Sequence, residues 1–222
     1  MQDTVAVEDT GGVRRVTLHR PPVNALTLVE YDALATAFEV PSATRVVLLR
    51  ARGRVWSAGQ DLGELREQVD DHARSAYLRR ATRGVAAAAR CPVPVLTALD
   101  GPAVGAGALL VACSDIVLGT PAASLAFPEL RVGLRLGRSL LADLLPAAVV
   151  AHAFATGAPI AAERLHRLGV LAELVAPDEL DERVEALLAE LVAIPDAGLR
   201  WLRRLPRREE LAADYLDEVA RL

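Results

Sequence analysis

Three stretches of the chain hold residues suited to chemistry. Glu129 sits between Phe127-Pro128 and Leu130, with Val132 beyond. A carboxylate in apolar company has a raised pKa, as a general base working near neutrality needs. The same glutamate also suits the first turn of a helix, where the dipole favours negative charge, and the residues alone favour that plainer role. Gly105-Ala106-Gly107-Ala108-Leu109-Leu110 places small residues between an extended stretch and a helix. Small side chains bare the backbone N–H groups at a helix start, a place for negative charge. Tight helix–strand packing explains them equally well. Ser57-Ala58-Gly59-Gln60-Asp61-Leu62 is a second glycine-bearing turn, following Val55-Trp56. Alone it reads as a loop; paired with the first turn, it offers a second backbone N–H to one oxyanion.

Other chemistries find little support. A dinucleotide-binding turn would need its third glycine where Leu110 stands, and neither a P-loop nor a GxSxG elbow occurs. His19, His72, His152 and His166 lack metal-ligand spacing, so no metal is expected. All 25 basic residues are arginine, which excludes a lysine Schiff base. The run from Arg200 to Arg208 reads as a solvated helix face, with a phosphate contact as the weaker alternative.

The elements that must position these residues alternate between strand and helix. Gly11-Gly12 turns a hairpin between Val5–Val7 and Val13–Leu18. Leu26–Val40 has helical spacing and stops at Pro41; Arg45–Arg50 reads as a fully buried strand. Gly53–Gly63 is a polar connection, and Ser75–Cys91 an alanine-rich helix. Val93–Ala98 and Asp115–Leu118 are strands on either side of the Gly105–Cys113 helix, with Asp100-Gly101-Pro102 as a turn. Leu125–Pro128 is a short extended piece. From Ser139 the chain is mostly helical, broken at Gly157-Ala158-Pro159, Leu168-Gly169 and Pro195, with a further strand at Gly169–Val175. This order predicts an α/β layered domain with a helical C-terminal part.

Composition sets the outer bounds. The chain has 222 residues, 52% hydrophobic, with a net charge of −4. That suits one domain with a substantial core and argues against disorder. Net acidity makes nucleic acid a poor partner. Cys91 and Cys113 read as buried thiols of a reducing compartment. The start, Met1-Gln2-Asp3-Thr4, has no basic or apolar leader, and the apolar run Val104–Cys113 is half a membrane span. A cytoplasmic protein without membrane contact is expected.

Taken in order, several segments resemble the enoyl-CoA hydratase/isomerase (crotonase) family. They are Arg20-Pro21-Pro22-Val23-Asn24-Ala25-Leu26, Trp56–Leu62, Asp100–Gly107, Cys113-Ser114-Asp115-Ile116 and Phe127-Pro128-Glu129, with Gly157–Ile160 and Gly169-Val170 fitting later. The resemblance covers residues 13 to 195. It implies a crotonase-like ββα spiral as a core over 1–175, and a short helical C-terminal region, 176–222, that supports a homotrimer or hexamer. It implies an acyl-CoA thioester as substrate, coenzyme A being part of that substrate and no other cofactor being needed. The thioester oxygen would lie between the N–H groups of Ala58 and Ala106. Gly59, Gln60, Asp61, Leu62, Gly105, Gly107 and Leu109 would line the substrate path. Glu129 would be the catalytic acid/base.

Hydratases of the family carry a second glutamate where this chain has Leu109. A single base suffices to move a double bond from C3 to C2 of the acyl group. The Pro-Pro-Val-Asn, Ser-Ala-Gly-Gln-Asp-Leu and Ala193-Ile194-Pro195-Asp196 segments look like the Δ3,Δ2-enoyl-CoA isomerases of the fatty-acid pathway. The expected activity is therefore an enoyl-CoA isomerase. The alternatives are another enolate reaction (hydration, decarboxylation or C–C bond chemistry) or a non-catalytic paralogue. Gly133-Leu134-Arg135-Leu136-Gly137-Arg138 departs from the family's glycine-rich stretch, and its arginines suit an acidic acyl group. Glu210–Leu222 reads as a truncated form of the helix that closes over coenzyme A. Arg203, Arg204 and Arg207 are the unassigned candidates for its phosphates.

Overall fold

The structure, a computed structural model, describes residues 3–142, 144–203 and 208–221. The hairpin β1 (Val5–Thr10) and β2 (Val13–Leu18) turns through Gly11 and Gly12, both at positive φ. After β3 (Ala25–Leu26), helix α1 (Leu28–Ala37) begins later than its apolar spacing suggests. Thr27 caps it, and Glu30 returns a carboxylate to the Thr27 N–H at 2.9 Å, a reciprocal capping box.

β4 (Val46–Ala51) leads through β5 (Gly59–Gln60) and α2 (Leu62–Arg66) into α3 (Asp71–Arg90). The polar connection therefore contains two short elements. α3 starts four residues before the predicted Ser75, because the Asp70 carboxylate accepts from the Ala73 N–H. β6 (Val95–Leu99), β7 (Pro102–Val104), α4 (Ala106–Ala112), β8 (Ile116–Gly119) and β9 (Ser124–Ala126) follow. Then come a 3-10 turn at Glu129–Val132, α5 (Arg138–Leu141), α6 (Ala147–Thr156), β10 (Ile160–Ala161), α7 (Ala162–Arg167) and β11 (Glu173–Leu174). The strand predicted over Gly169–Val175 is only those last two residues. Three helices end the chain: α8 (Leu180–Ala193), α9 (Asp196–Arg203) and α10 (Arg208–Ala220).

Six strands form the main sheet in the order β1-β2-β4-β6-β8-β11, antiparallel only at the β1–β2 hairpin. Every residue of β6 is buried, and so is nearly every residue of β4. That is the pattern of parallel strands covered on both faces. Alternation sorts their side chains. Val47, Leu49, Val95 and Leu99 join the core under α1, α3 and α4. Val46, Leu48, Leu96 and Leu118 meet Leu180, Val184, Leu188 and Leu191 of α8 on the other face. Small second sheets, β10-β9-β7 and β3-β5, stand beside the first and set the turns that face the site. α10 lies against α3 and α5. The C-terminal segment is thus divided: α8 covers one face of the sheet, and α10 packs on the layer that covers the other. No described helix is long and apolar enough to cross a membrane.

The crossing of α1 and α3 depends on one glycine. A Cβ on Gly84 would lie 2.7 Å from the Tyr31 carbonyl oxygen and 3.2 Å from its Cα. Alanine would gain about 1 kcal/mol of helix propensity, but backbone on the other side cannot yield cheaply. Gly84→Ala is expected to destabilise the protein by about 1–3 kcal/mol net, read as a lowered urea midpoint.

Candidate active site

Glu129 begins the 3-10 turn that follows Phe127-Pro128 and is only 4% exposed. Its two carboxylate oxygens are buried and have no hydrogen-bond partner among the described residues. Desolvation, only partly offset by its own backbone N–H, raises its pKa from 4.5 to about 7. The sequence allowed a plain first-turn glutamate, but such a residue would face water.

Gly105 faces this carboxylate across a short gap: a Cβ there would stand 3.6 Å from Glu129 Oε1. Gly105 has φ +53° and ψ −125°, a conformation open to glycine, and its N–H donates to the Ala126 carbonyl at 2.9 Å. The next residue, Ala106, opens α4, so its N–H has no acceptor within the helix. The second turn lies directly against the first. A Cβ on Gly59 would stand 2.3 Å from the Val104 carbonyl oxygen and 3.0 Å from the Ala106 nitrogen.

One expected donor is not available. The Ala58 N–H donates to the Val23 carbonyl at 2.9 Å. The cause is Asn24, whose side chain gathers the carbonyls of Arg52, Val55 and Trp56 at 2.8–3.2 Å and draws segment 23–26 along the turn. Ala58 still contributes to the cavity wall. Gln60 is better placed. β5 pairs in parallel with β3, Leu26 opposite Gln60, and the Asp61 N–H donates to the Leu26 carbonyl at 2.9 Å. Alternate residues of a parallel strand face opposite sides, so the Gln60 N–H points away from β3.

A cavity of about 160 Å³ joins these parts. Gln60, Leu62, Gly105, Ala106 and Glu129 are on its wall, as the sequence suggested. Gly59, Asp61, Gly107 and Leu109 stand behind that wall. Asp61 caps α2, accepting from the Gly63 and Glu64 N–H groups, and pairs with Arg20 at 3.1 Å. Gly107 gives room to Ser57, and the Leu109 side chain packs where Gly137 leaves space. Leu109 is therefore core, not a lining residue. Arg204 and Arg207, and the side chain of Arg203, lie outside the described residues.

Two tyrosines of the wall were not singled out in the sequence as site residues. Tyr31 of α1 carried only a helix-face signal, and Tyr215 of α10 carried none. The Tyr31 hydroxyl donates to Gln60 Oε1 at 3.1 Å, Gln60 Nε2 meets the Tyr77 hydroxyl, and that hydroxyl donates to Glu64 Oε2 at 2.7 Å. Burial raises the Tyr31 and Tyr215 phenols well above their ordinary range, so both keep their protons. Among the described residues no group of acids, histidines and cysteines could hold a metal ion.

The mixed α/β architecture with its repeated strand–strand–helix turns is that of the crotonase fold. Residues 8–210 match the family model for enoyl-CoA hydratase/isomerase, and the chain belongs to that family of enzymes. It is 35% identical over 189 residues, 82% of this chain and 75% of the relative, to a Mycobacterium tuberculosis protein named (7aS)-7a-methyl-1,5-dioxo-2,3,5,6,7,7a-hexahydro-1H-indene-carboxyl-CoA hydrolase. A Rhodococcus jostii protein of the same name is 33% identical over 193 residues, covering 83% of this chain and 73% of that one. The crystal structure of an enoyl-CoA hydratase from Mycobacterium smegmatis superposes with a TM-score of 0.86 at 28% identity, covering 99% of this chain and 90% of that one. The family acts on acyl-CoA thioesters.

The raised Glu129 pKa links stability to pH. Between about 4.5 and 7 the folded protein holds a proton that the unfolded chain has lost. Stability is therefore highest below that window and falls as pH rises through it, by up to about 1.4 kcal/mol per pH unit. Glu129→Gln is expected to remove this slope, seen by comparing urea midpoints of the two proteins from pH 5 to pH 8.

Proposed function

We propose that the protein is an acyl-CoA enolate enzyme with Glu129 as its single proton carrier, and that it isomerises 3-enoyl-CoA to 2-enoyl-CoA. The observation that carries this is the buried Glu129 carboxylate with both oxygens unpaired, beside the turn that bears the Ala106 N–H. The thioester oxygen accepts from the N–H groups of Ala106 and Gln60, which stabilise the enolate where charge develops. Glu129 takes the proton from C2, electrons shift through the thioester, and the same carboxyl returns the proton at C4. A base whose pKa is near 7 can do both steps at neutral pH. Hydration would need a second carboxyl to position water, and the equivalent side chain, Leu109, is fully buried in the core.

A second reading has a specific ground: both hydrolase relatives exceed 30% identity. There Glu129 would take a proton from water, and a ring-dione thioester would be the substrate. The assembly proposed for either reading is the trimer or hexamer that the resemblance implies.

Purified protein assayed in parallel on a 3-enoyl-CoA and a 2-enoyl-CoA is expected to convert the first and leave the second unhydrated. The rate should rise with pH around an inflection near 7, because the base must be ionised to accept the C2 proton. Glu129→Gln should lower turnover by about 10²–10⁴-fold with folding intact. Conversion of a ring-dione acyl-CoA with no effect on the 3-enoyl thioester would transfer the assignment to the hydrolase reading.

A further inference from the structure

β5 is two residues long and pairs with one strand, β3, so no strand holds its other edge. The peptide that bears the Gln60 N–H follows Gly59, which has φ +77°. A peptide beside a glycine turns more easily than its neighbours, so a donor at this place needs support from the next side chain. That support is present. The Gln60 amide oxygen accepts from the Tyr31 hydroxyl at 3.1 Å. Its Nε2 donates to the Tyr77 hydroxyl and reaches the Leu26 and Asp61 carbonyls at 3.4 and 3.3 Å.

The bonds continue into a closed circuit. The Tyr77 hydroxyl donates to Glu64 Oε2 at 2.7 Å, and the same oxygen accepts from the Leu28 N–H at 3.0 Å. Leu28 opens α1, so its N–H has no acceptor inside the helix, and Tyr31 stands one turn further along. The circuit thus runs from α1 through Gln60 at the end of β5 to Tyr77 on α3, then to Glu64 on α2 and back to α1. Its polarity is forced. An amide NH2 only donates and a carboxylate only accepts. Tyr77 therefore takes from Gln60 and gives to Glu64, and Tyr31 gives to the amide oxygen. Burial first, and the bond to Glu64 next, hold the Tyr77 phenol above its ordinary range, so it keeps the proton it donates. Both tyrosines are buried, which limits competition from water. Tyr31 and Gln60 are on the cavity wall, whereas Tyr77 and Glu64 stand behind Gln60 and act through it.

We propose that Tyr77 and Glu64 are positioning residues for the enolate step: through the Gln60 side chain they hold the Gln60 N–H at the thioester oxygen. This rests on the reading of Gln60 as an oxyanion donor given above. The bond from that N–H strengthens as charge develops on the oxygen. Loosening the circuit therefore slows proton removal from C2 far more than it weakens binding of the uncharged thioester. A circuit that served stability alone would lower the urea midpoint and leave the bound thioester carbonyl as it was.

The test uses the full chain with hexanoyl-CoA, a saturated thioester that cannot isomerise. Each protein is measured for its dissociation constant, for the rate of C2 hydrogen exchange in deuterium oxide at saturation, and for the infrared carbonyl band of the bound thioester, isotope-labelled at that carbon. A carbonyl that accepts from two donors absorbs at lower frequency, so the band reports on the oxyanion site itself. Tyr77→Phe and Glu64→Leu are expected to slow exchange about tenfold or more and to reverse part of the band shift, with the dissociation constant within about threefold. Glu64→Gln, whose amide oxygen can accept both bonds, should recover most of the exchange rate. Should Tyr77→Phe fail to fold, the two Glu64 variants decide alone. The proposal is overturned if the variants exchange at the unmodified rate, if they lose only affinity, if exchange slows with the band unmoved, or if Glu64→Gln is as slow as Glu64→Leu. Those four results leave Gln60 as an oxyanion donor. Absence of both exchange and band shift in the unmodified protein removes that reading and the proposal together.

Discussion

Residue 59 has no room for a side chain. The chain approaches so closely there that the Val104 carbonyl and the Ala106 nitrogen occupy the space a Cβ would take. This contact brings two turns, from different strands and far apart in sequence, to one point. The proposed oxyanion site depends on it. Two backbone N–H groups can address one oxygen only if the turns that bear them touch, and they touch only because residue 59 is glycine. Gly107 makes a similar concession to Ser57 on the other side of the turn, so α4 can dock flat against the β5 segment. The proposed oxyanion site is a packing result before it is an electrostatic one.

Electrostatics then works by omission. No other residue described bonds the Glu129 carboxylate, and its raised proton affinity follows from burial, opposed only by its own backbone N–H and by no charge. Glu30 shows the opposite arrangement. Glu30 is also nearly inaccessible, yet it bonds Thr4 and Thr27 and lies near Arg20, which hold its pKa below the usual value despite its burial. Two glutamates of similar burial thus behave in opposite ways. The difference lies in their neighbours, and it separates a capped structural acid from the proposed base.

Glu129 and the glycine-bearing turns were legible in the sequence because a short apolar-flanked motif and two clusters of small residues are local signals. The parallel strands were legible too, as runs such as Val46–Leu49. Ala58 was misleading for a physical reason. Which N–H of a turn remains unpaired depends on the neighbouring strand, and the grip of Asn24 on three carbonyls has no signature in the spacing of residues 57–62. Leu109 was misleading similarly, because helix spacing gives a face but not what that face meets, here the gap left at Gly137. Tyr215 lies 86 residues after Glu129, and only tertiary folding brings the two together.

The carboxylate of Glu218 has a consequence beyond holding a loop. By bonding Gly137 and Ser139 it makes the last helix and the inner wall of the cavity one mechanical unit. Dryness around Glu129 is then a property that the end of the chain confers on its middle. Without α10 in place Glu129 would be an ordinary, wet, acidic glutamate, so the burial that raises its proton affinity arrives only with long-range folding.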